Sequence, residues 1–250
     1  MRWGLIIDRG DGAWNMAVDE AMFELKDSGR VGNVLRLYVF DPSAVTIGYF
    51  QRISETVDLD LTSRMEIPVI RRITGGGAVY HDSRGEITYS VVASSELFPK
   101  DVKKSYELIC NGVVKAIGRF GLEARFVPVN DVVVGDKKVS GSAQIRRGRA
   151  LLQHGTLMYD TDIALLGRVL RVPKEKLSSK KVLRIEDRVT TLSRELGRRV
   201  KYEEVLEALI EGFSEALRVE LDREGYGEEV LELAGRLKGK YLSREWNFKR

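Results

Sequence analysis

An α+β fold, with mixed and antiparallel sheets flanked by helices, is predicted by three features of this sequence. Alternating, β-branched runs fall into two groups, one before residue 93 and one between 124 and 159. Amphipathic helical stripes lie among and after these groups in no regular βαβ rhythm. With 43% hydrophobic residues in a chain of 250, a sizeable core forms without metal or disulfide staples, as one domain spanning 1–250.

Residues 4–8 read as the first strand, and Asp11 is placed to cap a helix whose apolar stripe is Met16, Val18, Ala21, Met22 and Leu25. Strands follow over 34–39 and 44–50, separated by the turn Asp41-Pro42-Ser43. A short helix over 57–65 leads into Val69-Ile70, and the alternating segment 85–93 makes a returning strand. Pro99-Lys100-Asp101 opens a long helix on which Tyr106, Ile109, Cys110, Val113, Ile117 and Phe120 recur at helical spacing. Cys110 lies within that stripe and reads as a small buried apolar residue, not a nucleophile. Strands over 131–134 and 138–144 are joined by a hairpin turn at Gly135-Asp136, and a third runs over 151–159. A helix over 161–170 ends before Pro173, and the Lys-, Arg- and Ser-rich stretch 174–200 is the least defined, with order only near 189–192. Amphipathic helices near 202–217 and 227–237 complete the chain.

The net charge of +4 is a small excess of 41 basic over 37 acidic residues. Although the pI is about 9.1 and Arg146-Arg147-Gly148-Arg149 is a basic cluster, charge is spread along the chain without an aromatic-interleaved face, so no nucleic-acid partner is expected. One cysteine excludes an internal disulfide framework and fits a reducing cytoplasm. No apolar run approaches the roughly 20 residues of a membrane span, and the N-terminus lacks a signal-peptide pattern, so no membrane association is expected.

The chemistry concentrates in 68–93. Arg71 and Arg72 precede Thr74 and the adjacent glycines Gly75, Gly76 and Gly77, and Ala78, Val79, Tyr80 and His81 follow. Glycines let the backbone approach a ligand, and main-chain N–H groups with a forked guanidinium suit a phosphate or carboxylate. In an alternating strand only one arginine reaches over the loop, while the other points to solvent or a carboxylate. Neither GxGxxG nor GxxxxGK[ST] is present, so this is not a dinucleotide fingerprint or a P-loop.

The run Arg-Arg-Ile-Thr-Gly-Gly-Gly-Ala-Val-Tyr-His-Asp, from Arg71 to Asp82, resembles the signature of the lipoate-protein ligase A family without a gap. The resemblance continues through 130–144 and 154–158 and covers most of the chain. It implies a catalytic domain of the class II biotin/lipoate ligase type. It further implies that ATP activates lipoate to an acyl-adenylate, with Mg²⁺ on the departing pyrophosphate, followed by transfer to a lysine of an acceptor domain such as 2-oxoacid dehydrogenase E2 or glycine cleavage H protein. It places contact with the acyl carboxylate and α-phosphate on Lys138, beside the small residues Ser140 and Gly141, which leave room for a bulky group. Asn130 and Asp131 face the nucleotide by the same resemblance, with Asp131 a candidate Mg²⁺ ligand, while His81 and His154, the only two histidines, belong to the pocket wall.

The leading expectation is therefore an ATP-dependent lipoate-protein ligase. The alternative is an octanoyltransferase of the same superfamily, which the resemblance implies would move an acyl group from a carrier thioester through a catalytic cysteine. Its resembling members place a cysteine a few residues before the Asp-Val-Val-Val strand or form a lysine–cysteine pair, whereas 124–134 here contains none. A non-enzymatic nucleic-acid binder is the most remote reading. Full-length ligases of the family carry a further small C-terminal domain, so a separate accessory subunit is expected to dock over Tyr241 and Trp246 and to serve adenylation.

Overall fold

The computed structural model describes residues 1–171 and 185–250. Strand β1 (Arg2–Gly10) runs into helix α1 (Gly12–Asp27), whose start is set by Asp11, with its carboxylate accepting the Trp14 N–H at 2.8 Å. Next come β2 (Val34–Phe40), β3 (Ala44–Ile47), α2 (Ile53–Thr56), which the sequence reading misses, and α3 (Leu59–Arg64), which falls within the helix expected over 57–65. Asp58 caps α3 by accepting from Leu61 N–H.

β4 (Val69–Arg71) and β5 (Val79–His81) flank the glycine loop, and β6 (Glu86–Ser94) returns into α4 (Val102–Gly118), capped by Asp101. β7 (Ala124–Val127), β8 (Asp131–Val134), β9 (Lys137–Arg147) and β10 (Ala150–Met158) follow, then α5 (Ile163–Val169). Much of the stretch read as least defined lies outside the described residues. From Ile185 the chain forms α6 (Ile185–Arg188), α7 (Leu192–Leu196), α8 (Tyr202–Leu217), β11 (Glu220–Arg223), α9 (Glu228–Leu242) and α10 (Arg244–Asn247). The sequence reading misses β11 because its burial, mostly exposed, leaves no apolar alternation.

The strands make an eight-stranded sheet in the order β11-β1-β2-β6-β10-β9-β8-β7 and a three-stranded sheet, β4-β3-β5. Pairing is parallel at β11-β1-β2 and antiparallel from β2 through β7, so the expected mixed architecture is present. Period-2 alternation divides the core between the two faces of the large sheet. Leu35 and Leu37 of β2 pack with α4 and α8, whereas Val34, Tyr38 and Phe40 pack with α1 and α9. Helix α1 is buried almost all round, including Asn15, Asp19 and Glu20, because it is sandwiched between the sheet and α9.

The C-terminal segment is tied to the glycine loop's lead strand. Arg71 is fully buried and donates to the carbonyls of Gly48, Tyr49, Gln51 and Asn247, while the Trp246 indole donates to the Arg71 carbonyl at 2.7 Å. This corrects the placement of Arg71 toward solvent or a carboxylate: main-chain carbonyls satisfy its fork. It also corrects the docking surface, since Tyr241 is 1% exposed and bonded to Glu20 inside the chain.

Candidate active site

The glycine loop is closed from below by Arg72. Its Nη2 donates to the carbonyls of Gly75 and Gly77, both at 2.7 Å, its Nη1 to Thr46 and its Nε to Thr74. All of its nitrogens are committed to the fold. Burial pushes the guanidinium down to about 10. Gly76 has φ +90, and a Cβ on Gly48 would lie 2.1 Å from the Gly76 carbonyl, so the loop approaches β3 as closely as glycine allows. Above Gly75 and Gly77 there is open space.

A buried chain of hydrogen bonds continues inward from this loop. Thr74 meets His154 Nε2 at 2.7 Å, and His154 Nδ1 meets Asp19 at 2.9 Å. Asp19 also accepts from Arg36, Tyr38 and Ser90, and Arg36 in turn bridges to Asp8. Burial alone would raise the Asp19 carboxyl, but the His154 hydrogen bond and the Arg36 charge hold it below its usual range. Burial depresses His154, keeping it a neutral imidazole that donates to Asp19 through Nδ1–H. His81 forms a second bridge, from Glu86 at 2.8 Å to Thr46 at 2.9 Å, and stacks on Phe40.

Facing the loop is the β8–β9 hairpin. Val134 pairs with Lys137 across a two-residue turn, with Gly135 at φ +57, as the Gly135-Asp136 turn predicts. Lys137 points to solvent and Lys138 inward, with its ammonium 2.7 Å from Asp131. A Cβ on Gly141 would lie 2.5 Å from Lys138 Nζ, so that glycine clears the path of the lysine. Two adjoining cavities share Gly77, Ala78, Val79, Lys138, Gly141 and Thr156 as a common collar. The inner one extends to Met16, Tyr38, Arg72, His81, Asn130 and His154, and the outer to Tyr80, Glu86, Met158 and Leu166.

Most of the sequence-predicted site residues thus converge. Ser140 does not, being fully buried outside both cavities, and Gly75 and Gly76 shape the loop without lining a cavity. Asn130 braces the hairpin by donating to the Ser142 carbonyl. The Mg²⁺ role of Asp131 does not fit: its carboxylate is paired with Lys138, and among the described residues no group of three His, Cys, Asp or Glu side chains could hold a metal. Cys110 is 0% exposed behind Ser142 and Tyr89, and burial pushes its thiol up. Asp19, Arg36, Thr46, Gly48 and Glu86 escape the sequence reading. The signal for Asp19 is a charged residue beside the apolar positions of α1, and for Glu86 a polar face alternating with Ile87 and Tyr89.

A lysine facing an internally braced glycine loop across a cavity collar is an arrangement able to stabilise negative charge that develops on a bound group. The chain is a member of the lipoyl protein ligase A/B catalytic domain family, whose model matches residues 11–214. It is 37% identical to the octanoyltransferase LipM of Kyrpidia tusciae over 99% of each chain, and 31% identical to LipM of Clostridioides difficile over 100% of this chain and 99% of that one. Among solved structures it resembles the bi-partite lipoate protein ligase of Thermoplasma acidophilum, with a TM-score of 0.87, 35% identity and coverage of 99% and 96%. It also resembles a lipoate-protein ligase A bound with ATP, with a TM-score of 0.87, 33% identity and 99% coverage of both. The biotin protein ligase of Aquifex aeolicus shares the fold at 17% identity and a TM-score of 0.50, covering 86% of this chain and 70% of that one.

These relatives correct the leading functional expectation. Curated chains aligned along essentially the whole length carry the name octanoyltransferase, which supports the transferase alternative against ATP-dependent ligation of lipoate. The expectation of a split-type catalytic chain fits the likeness to the bi-partite Thermoplasma acidophilum ligase. Residues 124–134 hold no cysteine, and Cys110, the one cysteine of the sequence, is buried away from both cavities.

Proposed function

We propose that this chain is an octanoyltransferase, moving an octanoyl group from the thioester of an acyl carrier to a lysine of a lipoyl-acceptor domain such as that of E2 or H protein. The full-length likeness to LipM relatives carries this reading. The acyl chain occupies the inner cavity, past Met16 and Ala143, and its carbonyl sits at the collar beside Lys138 and the Gly77–Val79 backbone. Lys138 stabilises the oxygen as it gains negative charge in the tetrahedral transition state, which strengthens its attraction there relative to the ground state. The lysine nitrogen attacks the carbonyl carbon, the C–N bond forms, and the C–S bond breaks with the electron pair leaving on sulfur. Cys110 is no acyl carrier in this scheme, since its thiol is sealed from both cavities by Ser142 and Tyr89. Incubating the chain with octanoyl carrier protein and an apo acceptor domain, with intact-mass readout, tests the reading. Octanoylated acceptor is expected, and its absence from thioester donor overturns the proposal.

A further inference from the structure

The outer cavity contains a buried carboxylate oxygen that the transfer chemistry above leaves unused. Glu86 is 3% exposed. Its Oε1 accepts from His81 and from the Thr88 hydroxyl, each at 2.8 Å, whereas Oε2 has no hydrogen-bond partner among the described residues. A buried oxygen left without a donor costs free energy, so this position favours an occupant that supplies one. The surrounding wall of Val79, Met158 and Leu166 is apolar, which suits a donor carried at the tip of an aliphatic stem.

Strand register locates this oxygen relative to the reacting carbonyl. Along β10, His154 lies in the inner cavity, Thr156 at the collar and Met158 in the outer cavity, and Met158 pairs directly with Glu86 across the strands. Glu86 therefore stands one step beyond the collar, in the outer cavity. Its negative charge repels a departing thiolate and attracts an ammonium.

Resting on the transferase reading, we infer that Glu86 receives the ammonium of the acceptor lysine and takes its first proton as general base. The lysine –NH₃⁺ gives one proton to Oε2 and becomes a free amine, whose nitrogen attacks the thioester carbonyl carbon. As the C–S bond breaks, the sulfur takes the electron pair and the second nitrogen-bound proton. The proton on Glu86 passes to solvent when the amide departs. His81 and Thr88 hold Oε1, which leaves Oε2 as the unpartnered oxygen of a carboxylate that lines the outer cavity.

The test compares the wild type, E86Q and E86D, with octanoyl carrier protein as donor and two acceptors: an apo lipoyl-acceptor domain, and hydroxylamine, which is already uncharged near neutral pH. E86Q is expected to lose about 100-fold or more of its rate to the protein lysine and to keep its rate to hydroxylamine. Its residual lysine rate should climb with pH toward the amine's own pKa of about 10.4. Tyr80, Lys138, Arg171 and Arg188 are the other titratable or charged groups lining this cavity, and His81 meets Glu86 from the inner cavity; all are unchanged in the variant. E86D, which keeps the charge on a shorter stem, should lose less toward lysine and nothing toward hydroxylamine, and it carries the test if E86Q does not fold. Equal loss with both acceptors, or wild-type lysine transfer and pH profile in E86Q, overturns the inference. Transfer from the carrier to neither acceptor by the wild type overturns the parent reading and this inference with it.

Discussion

The two sides of the collar are built on opposite principles. Under the glycine loop, Arg72, Thr74, His154, Asp19 and Arg36 are all 4% exposed or less, apart from His154 at 6%, and each holds several fixed partners. On the hairpin, Lys138 and Asp131 have side chains 37% and 35% exposed and hold mainly one another. The first side is a rigid wall whose charges stabilise structure. The second is a half-exposed charge with one ion-pair partner among the described residues, which the proposed transfer uses at the carbonyl oxygen. Substitutions on the wall should therefore cost stability first, and substitutions on the hairpin should cost catalysis while leaving the fold in place.

Asp19→Ala is the most severe way to probe this difference, because it leaves Arg36 buried with a reduced set of acceptors. A loss of about 3–5 kcal/mol is expected, read as a fall in the denaturation midpoint, and a change under about 1 kcal/mol would mean that the wall is not held by its charges. Gly48→Ala forces the loop away from β3, because its Cβ would meet the Gly76 carbonyl. A cost of about 1–3 kcal/mol and loss of transfer in a folded protein are expected from thermal melts and intact-mass assays.

The wall also sets the acid sensitivity. His154 is depressed below its ordinary value, so its contribution is complete above roughly pH 6.5 and is lost as pH falls, when the unfolded chain binds the proton more readily. Asp19 is likewise depressed, and its contribution disappears at still lower pH. Midpoints measured between pH 7.5 and 5, a window set by the ordinary His pKa of about 6.5, should fall in the wild type. In His154→Gln the fall over that window should shrink.

Much of the first half of this contrast was hidden in the sequence. The glycine loop, Lys138 and the Gly135-Asp136 turn announce themselves, because glycine runs and two-residue turns have local causes. The Asp19–Arg36 pair does not, since it joins residues on α1 and β2 that only the packed sheet brings together. Glu86 and Ser90 alternate with apolar neighbours as on a half-exposed strand, yet β6 is buried on both faces and turns its polar face to the cavity and the buried network. Arg71 and Arg72 alternate as expected, but both ends of that alternation are interior. A sequence pattern gives the faces of a strand and not what covers them.

Smaller effects are expected where side chains leave the wall intact. Cys110→Ala should cost about 1 kcal/mol for a small cavity and preserve transfer, whereas an octanoylated Cys110 seen by mass spectrometry would replace direct attack with an acyl-enzyme. Lys138→Ala should shift stability by at most about 1 kcal/mol, as half-exposed pairs do, while lowering transfer sharply. Together these variants separate the wall from the half-exposed charge.

The most direct test of the account is whether wild-type protein, freed of nucleotide, octanoylates an apo lipoyl-acceptor domain from octanoyl carrier protein. The account predicts an acceptor heavier by one octanoyl group, at a rate unchanged by added ATP and strongly reduced in Lys138→Ala. An acceptor modified only when free acid and ATP are supplied, and never from the carrier thioester, would contradict it.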